Sequence, residues 1–285
     1  MSANLDIKRA ALEDRLRELR SVVVAFSAGL DSTLLLRVAV LTLGPDRVLA
    51  VTGRSASVPK AELDSAAALA AECGAPHEFL DTHEFDNPQY RVNSPDRCYF
   101  CKTELYARLL PLAAARGYAA VVSGTNADDL SDYRPGLRAA SERGVRAPLA
   151  EAGLTKADVR ALAAELGLSI QDKPASPCLS SRVPYGEAVT PEKLARIDAA
   201  ETFLRALGFR ECRVRHHADL ARIEVPAEEV ARLAVPAVRA RVDAHLRALG
   251  FRYVTVDLRG FRSGSLNEVL LGAGLAGGVS APEVR

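Results

Sequence analysis

Val22-Val23-Val24-Ala25-Phe26-Ser27-Ala28-Gly29-Leu30-Asp31-Ser32-Thr33-Leu34-Leu35-Leu36 is the stretch whose reading decides the fold. Val22 to Phe26 is a continuous apolar run, which fits a strand covered on both faces, as in a parallel sheet. Ser27-Ala28-Gly29 is a tight turn of small residues, and Asp31-Ser32-Thr33 opens a helix. The first backbone N–H groups of a helix lack intrahelical partners, and the helix dipole adds partial positive charge there. Such a strand, turn and helix make a phosphate site, with the Ser27 and Ser32 hydroxyls as further donors. Asp31 would repel a bare phosphate. A carboxylate belongs there if a magnesium ion sits between it and the phosphates. The plainer reading is an ordinary turn with Asp31 and Ser32 as caps.

The whole chain narrows the class. Its 285 residues suggest one large or two modest domains, and 48% hydrophobic with 26% charged residues is ordinary for a globular protein. A net charge of +1 gives no overall field toward nucleic acid, so any anion site is local. Five cysteines, an odd number, do not form a secreted disulfide framework. Leu5 to Arg20 is charged and amphipathic, unlike a signal peptide, and the apolar run Leu34 to Leu43 is too short for a membrane span. The expectation is a cytoplasmic protein with no membrane or stable nucleic-acid partner.

Outward from the opening stretch, strands are expected at 48–52, 77–80 and 119–123. Helices are expected at 5–20, 59–73, from about 102 to 116, and at 155–166, the last with Thr155 as N-cap and Asp158 three residues on. Strands and helices alternating at this spacing predict an α/β fold with a doubly wound parallel sheet. Ligands in such sheets sit at the carboxyl ends of the strands. That edge collects Ser27, Gly29, Asp31 and Ser32, then Thr52, then Gly124 and Thr125 as candidate nucleotide contacts. Asp31 and Asp128, or its neighbour Asp129, are candidate magnesium ligands. Glu84 to Arg97 reads as a polar loop with two prolines, Tyr133 to Gly136 as a turn, and Lys173 to Gly186 as a rigid loop bridging to a second domain.

The remainder carries an internal repeat. Leu204-Arg-Ala-Leu-Gly-Phe-Arg210 recurs as Leu246-Arg-Ala-Leu-Gly-Phe-Arg252. Each copy ends a helix at its glycine and leads into an alternating strand, which predicts a small α/β domain. The expected division is 1–185, 186–273 and a disordered 274–285. Cys73 and Cys212 read as small buried hydrophobes. Cys98 and Cys101 form a C-x-x-C that is redox-active, half of a metal site, or incidental. With Cys178 they could hold a [4Fe–4S] cluster with one iron open. Cys178 alone could be a nucleophile, with Arg182 nearby favouring its thiolate.

Ser27 to Ser32 resembles the Ser-Gly-Gly-x-Asp-Ser loop of the PP-loop ATP pyrophosphatases (the adenine nucleotide alpha hydrolase-like fold), with Ala28 in place of the middle glycine. Together with Arg97 to Lys102, Pro177 to Gly186 and Gly260 to Glu268, it resembles the LarE family along nearly the whole chain. These are sacrificial sulfur transferases that help build the nickel-pincer nucleotide of lactate racemase. The resemblance implies that magnesium-ATP adenylates a carboxylate of pyridinium-3,5-biscarboxylic acid mononucleotide. A sulfur nucleophile then displaces AMP. In the sacrificial version Cys178 is that nucleophile and is left as dehydroalanine. In a second version a [4Fe–4S] cluster on Cys98, Cys101 and Cys178 lends a sulfide. Arg182, Arg213, Arg215, Arg259 and Arg262 are expected at substrate or nucleotide, and a homo-oligomer, hexamers included, is expected. Rival readings are a transfer-RNA thiolase or an amide-forming synthetase of the same superfamily.

Overall fold

The computed structural model describes residues 3–131, 135–171 and 176–262. It divides into two compact units, residues 1–178 with 188–191, and 179–187 with 192–285.

The first unit runs α1 (Ala3–Leu19), β1 (Val22–Ala25), α2 (Leu30–Leu43), β2 (Val48–Arg54), α3 (Lys60–Glu72), β3 (His77–Asp81), α4 (Pro88–Arg91), α5 (Arg97–Ala115), β4 (Ala120–Ser123), α6 (Pro135–Glu142), α7 (Pro148–Glu151) and α8 (Lys156–Glu165). Its four strands are parallel in the order β3-β2-β1-β4. β1 is central, with Val22 level with Val48 on one side and with Ala120 on the other. The unbroken apolar run is explained by two cores. Val22 and Val24 pack on one face with residues of α1, α2, α3 and α8. Val23 packs on the other with Leu49, Val51, Tyr106 and Leu109. The expected doubly wound parallel sheet is the fold found.

Two short helices stand where the sequence reads as loop or turn. α4 starts at Pro88 with Asn87 as its N-cap, the Asn87 side chain accepting from Gln89 N. α6 starts at Pro135. In both, a proline taken for a loop marker occupies the first helical turn, where its missing N–H costs nothing.

The second unit runs α9 (Pro191–Ala206), β5 (Arg213–His217), β6 (Leu220–Glu224), α10 (Val230–Ala234), α11 (Pro236–Ala248) and β7 (Tyr253–Val256). Its sheet order is β5-β6-β7, with β6 antiparallel to β5 and parallel to β7. The repeated segments supply matching core residues, Leu204 with Phe209 and Leu246 with Phe251. Their glycines, Gly208 and Gly250, take φ of 89° and 96°, the left-handed value that closes a helix. Lys173–Ala175, Tyr133–Arg134, the motif from 263 to 268 and the tail 274–285 lie outside the described residues. Among the described residues no helix is long and apolar enough to cross a membrane.

α8 begins with a capping box. Thr155 Oγ1 accepts from Asp158 N, and Asp158 Oδ2 accepts from Thr155 N and from Lys8 Nζ at 2.6 Å. The Lys8 bond first, then the Thr155 N–H, lower the Asp158 carboxyl from 3.8 to about 2. Its folded value lies below its ordinary one, so the stabilisation is complete above the ordinary value and is lost as pH falls toward the folded one. With solvent screening it amounts to about 1 kcal/mol. Urea unfolding of Asp158→Asn against the native chain is expected to show that gap at neutral pH and its closure in strong acid.

Candidate functional site

The turn after β1 has the geometry of an anion cradle. Ser27 Oγ and Ser32 Oγ lie 3.1 Å apart, and Ser27 N donates to Ser32 Oγ at 3.3 Å. The Ser32 and Thr33 hydroxyls donate back to Gly29 O, at 3.0 and 2.9 Å. Gly29 is the N-cap of α2 and offers no side-chain cap. Ala28 has φ 53° and is 1% exposed. A left-handed alanine costs about 1–2 kcal/mol. Its buried methyl returns about 0.8 kcal/mol. The near balance explains how alanine occupies a place where the resembling loops carry glycine.

β4 meets this turn from the side. A Cβ built on Gly124 would lie 2.7 Å from Ser32 N, so only glycine fits there. The loop that follows is knotted around Asn126, which is 2% exposed. Asn126 Nδ2 donates to Asp31 Oδ1 at 3.1 Å, while Asn126 Oδ1 accepts from Asp128 N at 3.0 Å. Lys156 joins the two acids. Its Nζ contacts Asp31 Oδ2 at 2.5 Å, and its backbone N donates to Asp128 Oδ2 at 2.8 Å. Asn126 and Lys156 each bond to both Asp31 and Asp128. Asn126 and Lys156 are additions that only the folded chain reveals. Thr125 Oγ1 lies 3.1 Å from Ser123 Oγ, and Thr52 Oγ1 lies 2.9 Å from His77 Nε2. Burial, partly countered by Glu78, lowers the His77 pKa.

The donor set suits magnesium. It consists of hard carboxylate oxygens, and Asp31 already carries a cation in the Lys156 ammonium. Among the described residues no three His, Cys, Asp or Glu are gathered to hold a metal ion. Magnesium needs no such cage, since one or two carboxylates with substrate phosphates suffice.

A cavity of about 290 Å³ opens beside the turn. Its lining includes Phe26, Ser27, Thr52, Cys98, Cys101 and Cys178. Cys98 and Cys101 lie in the first turns of α5, Cys98 exposed, Cys101 and Cys178 half-buried. Desolvation first, then the neighbouring Cys178, push the Cys98 thiol up. Burial first, then the charge of Glu84, push the Cys101 thiol up. The three cysteines line one cavity, but among the described residues they are not gathered closely enough to form a metal site. Cys73 and Cys212 are buried in the cores, as expected.

The five arginines belong to the second unit. Arg182 is 0% exposed, and its fork closes on Glu201, Nε to Oε1 at 2.9 Å and Nη2 to Oε2 at 3.1 Å. Arg215 closes likewise on Glu224, at 3.0 and 2.8 Å. Arg213 donates to Cys212 O and lies over the Phe261 ring, 5.0 Å from its centroid. Burial is the chief reason its pKa is lowered. Burial alone would raise the Glu201 carboxyl, yet Arg182, Arg213 and Arg205 hold it below the ordinary range. Arg182 and Arg215 therefore have carboxylate partners the sequence did not reveal, because those partners lie on other elements. Arg259 and Arg262 flank Gly260, with Arg259 N on Asp257 Oδ1 at 2.9 Å and Arg262 Nη1 on Gly260 O at 3.1 Å.

A parallel sheet in this order, an anion turn at its central strand and an acidic loop beside it define an ATP-using enzyme of the PP-loop class. Comparison with known proteins agrees. The NAD synthase family model matches residues 8–183. The chain is 46% identical over 274 residues to the pyridinium-3,5-bisthiocarboxylic acid mononucleotide synthase of Lactiplantibacillus plantarum, covering 96% of this chain and 99% of that one. It is 47% identical over 266 residues to an uncharacterized protein of Synechocystis, covering 93% and 99%. An uncharacterized protein of Methanocaldococcus jannaschii is 28% identical over 86% of this chain and 92% of its own. The chain belongs to the LarE family of the PP-loop superfamily.

Gly124→Ala forces Ser32 N and the first turn of α2 to move. The expected cost is about 1–3 kcal/mol, the usual range for overpacking. Thermal unfolding reads that loss, and a titration with magnesium-ATP is expected to show weakened binding alongside it.

Proposed function

We propose that this chain is an ATP-dependent sulfur transferase that converts a carboxylate of pyridinium-3,5-biscarboxylic acid mononucleotide to a thiocarboxylate. The observation that carries the reading is the shared cavity, which sets the anion turn at Ser27 beside Cys98, Cys101 and Cys178. The similarity to the Lactiplantibacillus synthase supports the substrate.

A free carboxylate is a poor acyl donor, and joining it to AMP supplies a good leaving group. The start of α2, with Ser27 and Ser32, is suited to hold the phosphates. Asp31 and Asp128 would hold magnesium, which neutralises phosphate charge. Thr52, Gly124 and Thr125 would border the nucleotide. The Cys178 sulfur then attacks the acyl carbon, a C–S bond forms, and AMP leaves with the electron pair of the broken C–O bond. Loss of the Cys178 Cα proton and cleavage of its Cβ–S bond leave dehydroalanine and the thiocarboxylate.

A second reading of the sulfur source starts from the same three cysteines. Cys98, Cys101 and Cys178 would hold a [4Fe–4S] cluster with one iron open, which would supply the sulfur as sulfide in place of Cys178's own. In the second unit Arg213, Arg215, Arg259 and Arg262 are suited to meet the substrate's phosphate and carboxylates, because guanidinium forks match both. Arg182 serves from within the fold. The proposal extends to a cytoplasmic homo-oligomer serving nickel-pincer nucleotide assembly, with ATP chemistry in the first unit and substrate anions and assembly in the second.

The test is the intact mass of anaerobically purified protein before and after turnover, with iron assayed alongside. A loss of about 34 Da at Cys178, hydrogen sulfide leaving a side chain that acted as nucleophile, is the sacrificial outcome. Unchanged mass with about four irons per chain and repeated turnover is the cluster outcome. Cys178→Ala is expected to abolish thiocarboxylate formation and keep ATP binding. Full transfer by that variant would sink the proposal.

A further inference from the structure

Glu84 lies three residues beyond β3, at the carboxyl edge of the parallel sheet. It is 2% exposed. Its Oε1 accepts from Ser55 Oγ at 2.6 Å and from Ser57 Oγ at 2.8 Å. Its Oε2 is buried and has no hydrogen-bond partner among the described residues. A buried acceptor without a donor costs about 1–3 kcal/mol, and more when charged. Such an oxygen calls for a partner that arrives during function. Glu84 lines the cavity that Ser27 shares with the three cysteines. Two serine hydroxyls hold the carboxylate by one oxygen and leave the other without a donor. The groups around it that lose protons in sulfur chemistry are thiols.

We propose that Glu84 is a further catalytic residue, the proton acceptor for the sulfur nucleophile in this cavity. The proposal rests on the sulfur-transfer reading. The S–H bond of the nucleophile breaks and its proton passes to Glu84 Oε2. The electron pair left on sulfur forms the C–S bond to the acyl carbon, and AMP leaves with the pair of the broken C–O bond. The step is the same for the Cys178 thiol and for a hydrosulfide, since each carries a proton that must leave.

The test uses the full chain with magnesium-ATP and the pyridinium biscarboxylate mononucleotide. Substrate-dependent exchange of pyrophosphate into ATP reports adenylation alone. Single-turnover thiocarboxylate formation reports sulfur transfer. Glu84→Gln is expected to keep exchange near the native rate and to slow transfer about 10²–10⁴-fold, the contribution of a positioned base. Glu84→Ala is expected to regain transfer when formate is added, which a purely structural role would not allow. Should thermal unfolding show that neither variant folds, Glu84→Asp, with its carboxylate one methylene back, is expected to slow transfer with exchange intact. Native transfer rates in Glu84→Gln, or in the aspartate variant where that one is used, would overturn the proposal. So would loss of exchange together with transfer, which would make Glu84 a nucleotide-binding residue. A native chain that shows no substrate-dependent exchange would overturn the functional reading itself, and the Glu84 role with it.

Discussion

The first unit depends on how closely β4 passes the start of α2. At Gly124 there is room for a hydrogen and nothing larger, because Ser32 N stands where a side chain would begin. That approach fixes the acidic loop against the anion turn. From it follow the Asn126 bond to Asp31, the turn of Asp128 around Asn126, and the reach of Lys156 to both acids. The parallel register holds the approach in place. β1 is paired on both sides over its whole length and covered by apolar side chains on both faces, so its exit point is not adjustable.

A cradle built this way is already neutralised. Asp31 carries the Lys156 ammonium, and Asn126 satisfies what remains of it. This ion pair is partly exposed and of small energetic worth. It is therefore easily exchanged for another cation. The opposite holds for the second unit, where Arg182 and Glu201 are both fully buried. Breaking such a pair leaves an uncompensated charge in the interior, at a cost of about 3–5 kcal/mol. One unit carries a labile ion pair at its site and the other a fixed one in its interior.

Features governed by local chemistry were open to reading in the sequence. The run Val22–Phe26 announced a strand buried on both faces, Thr155 with Asp158 announced a helix start, and the repeated Leu-Gly-Phe segments announced paired helix ends. Features made by distant partners were not. Lys156 reaches Asp31 from 125 positions away. Glu84 reads as one acid among several in a polar loop, and only Ser55 and Ser57, 29 and 27 positions earlier, make it a held and buried group. Arg182 and Arg215 read as groups for substrate or nucleotide, because nothing nearby in the chain discloses their partners Glu201 and Glu224. The prolines of α4 and α6 misled for a different reason, since a proline at a first helical turn and a proline in a loop look alike without the dihedral angles.

Ala28 sits in the left-handed region at the centre of the anion turn, with its methyl in the core. Alanine and glycine codons differ only at their second base. A lineage can therefore move between the two by one nucleotide change, across a nearly level energetic path, without losing the turn. A search pattern that insists on paired glycines would pass over this chain although its turn keeps the same shape.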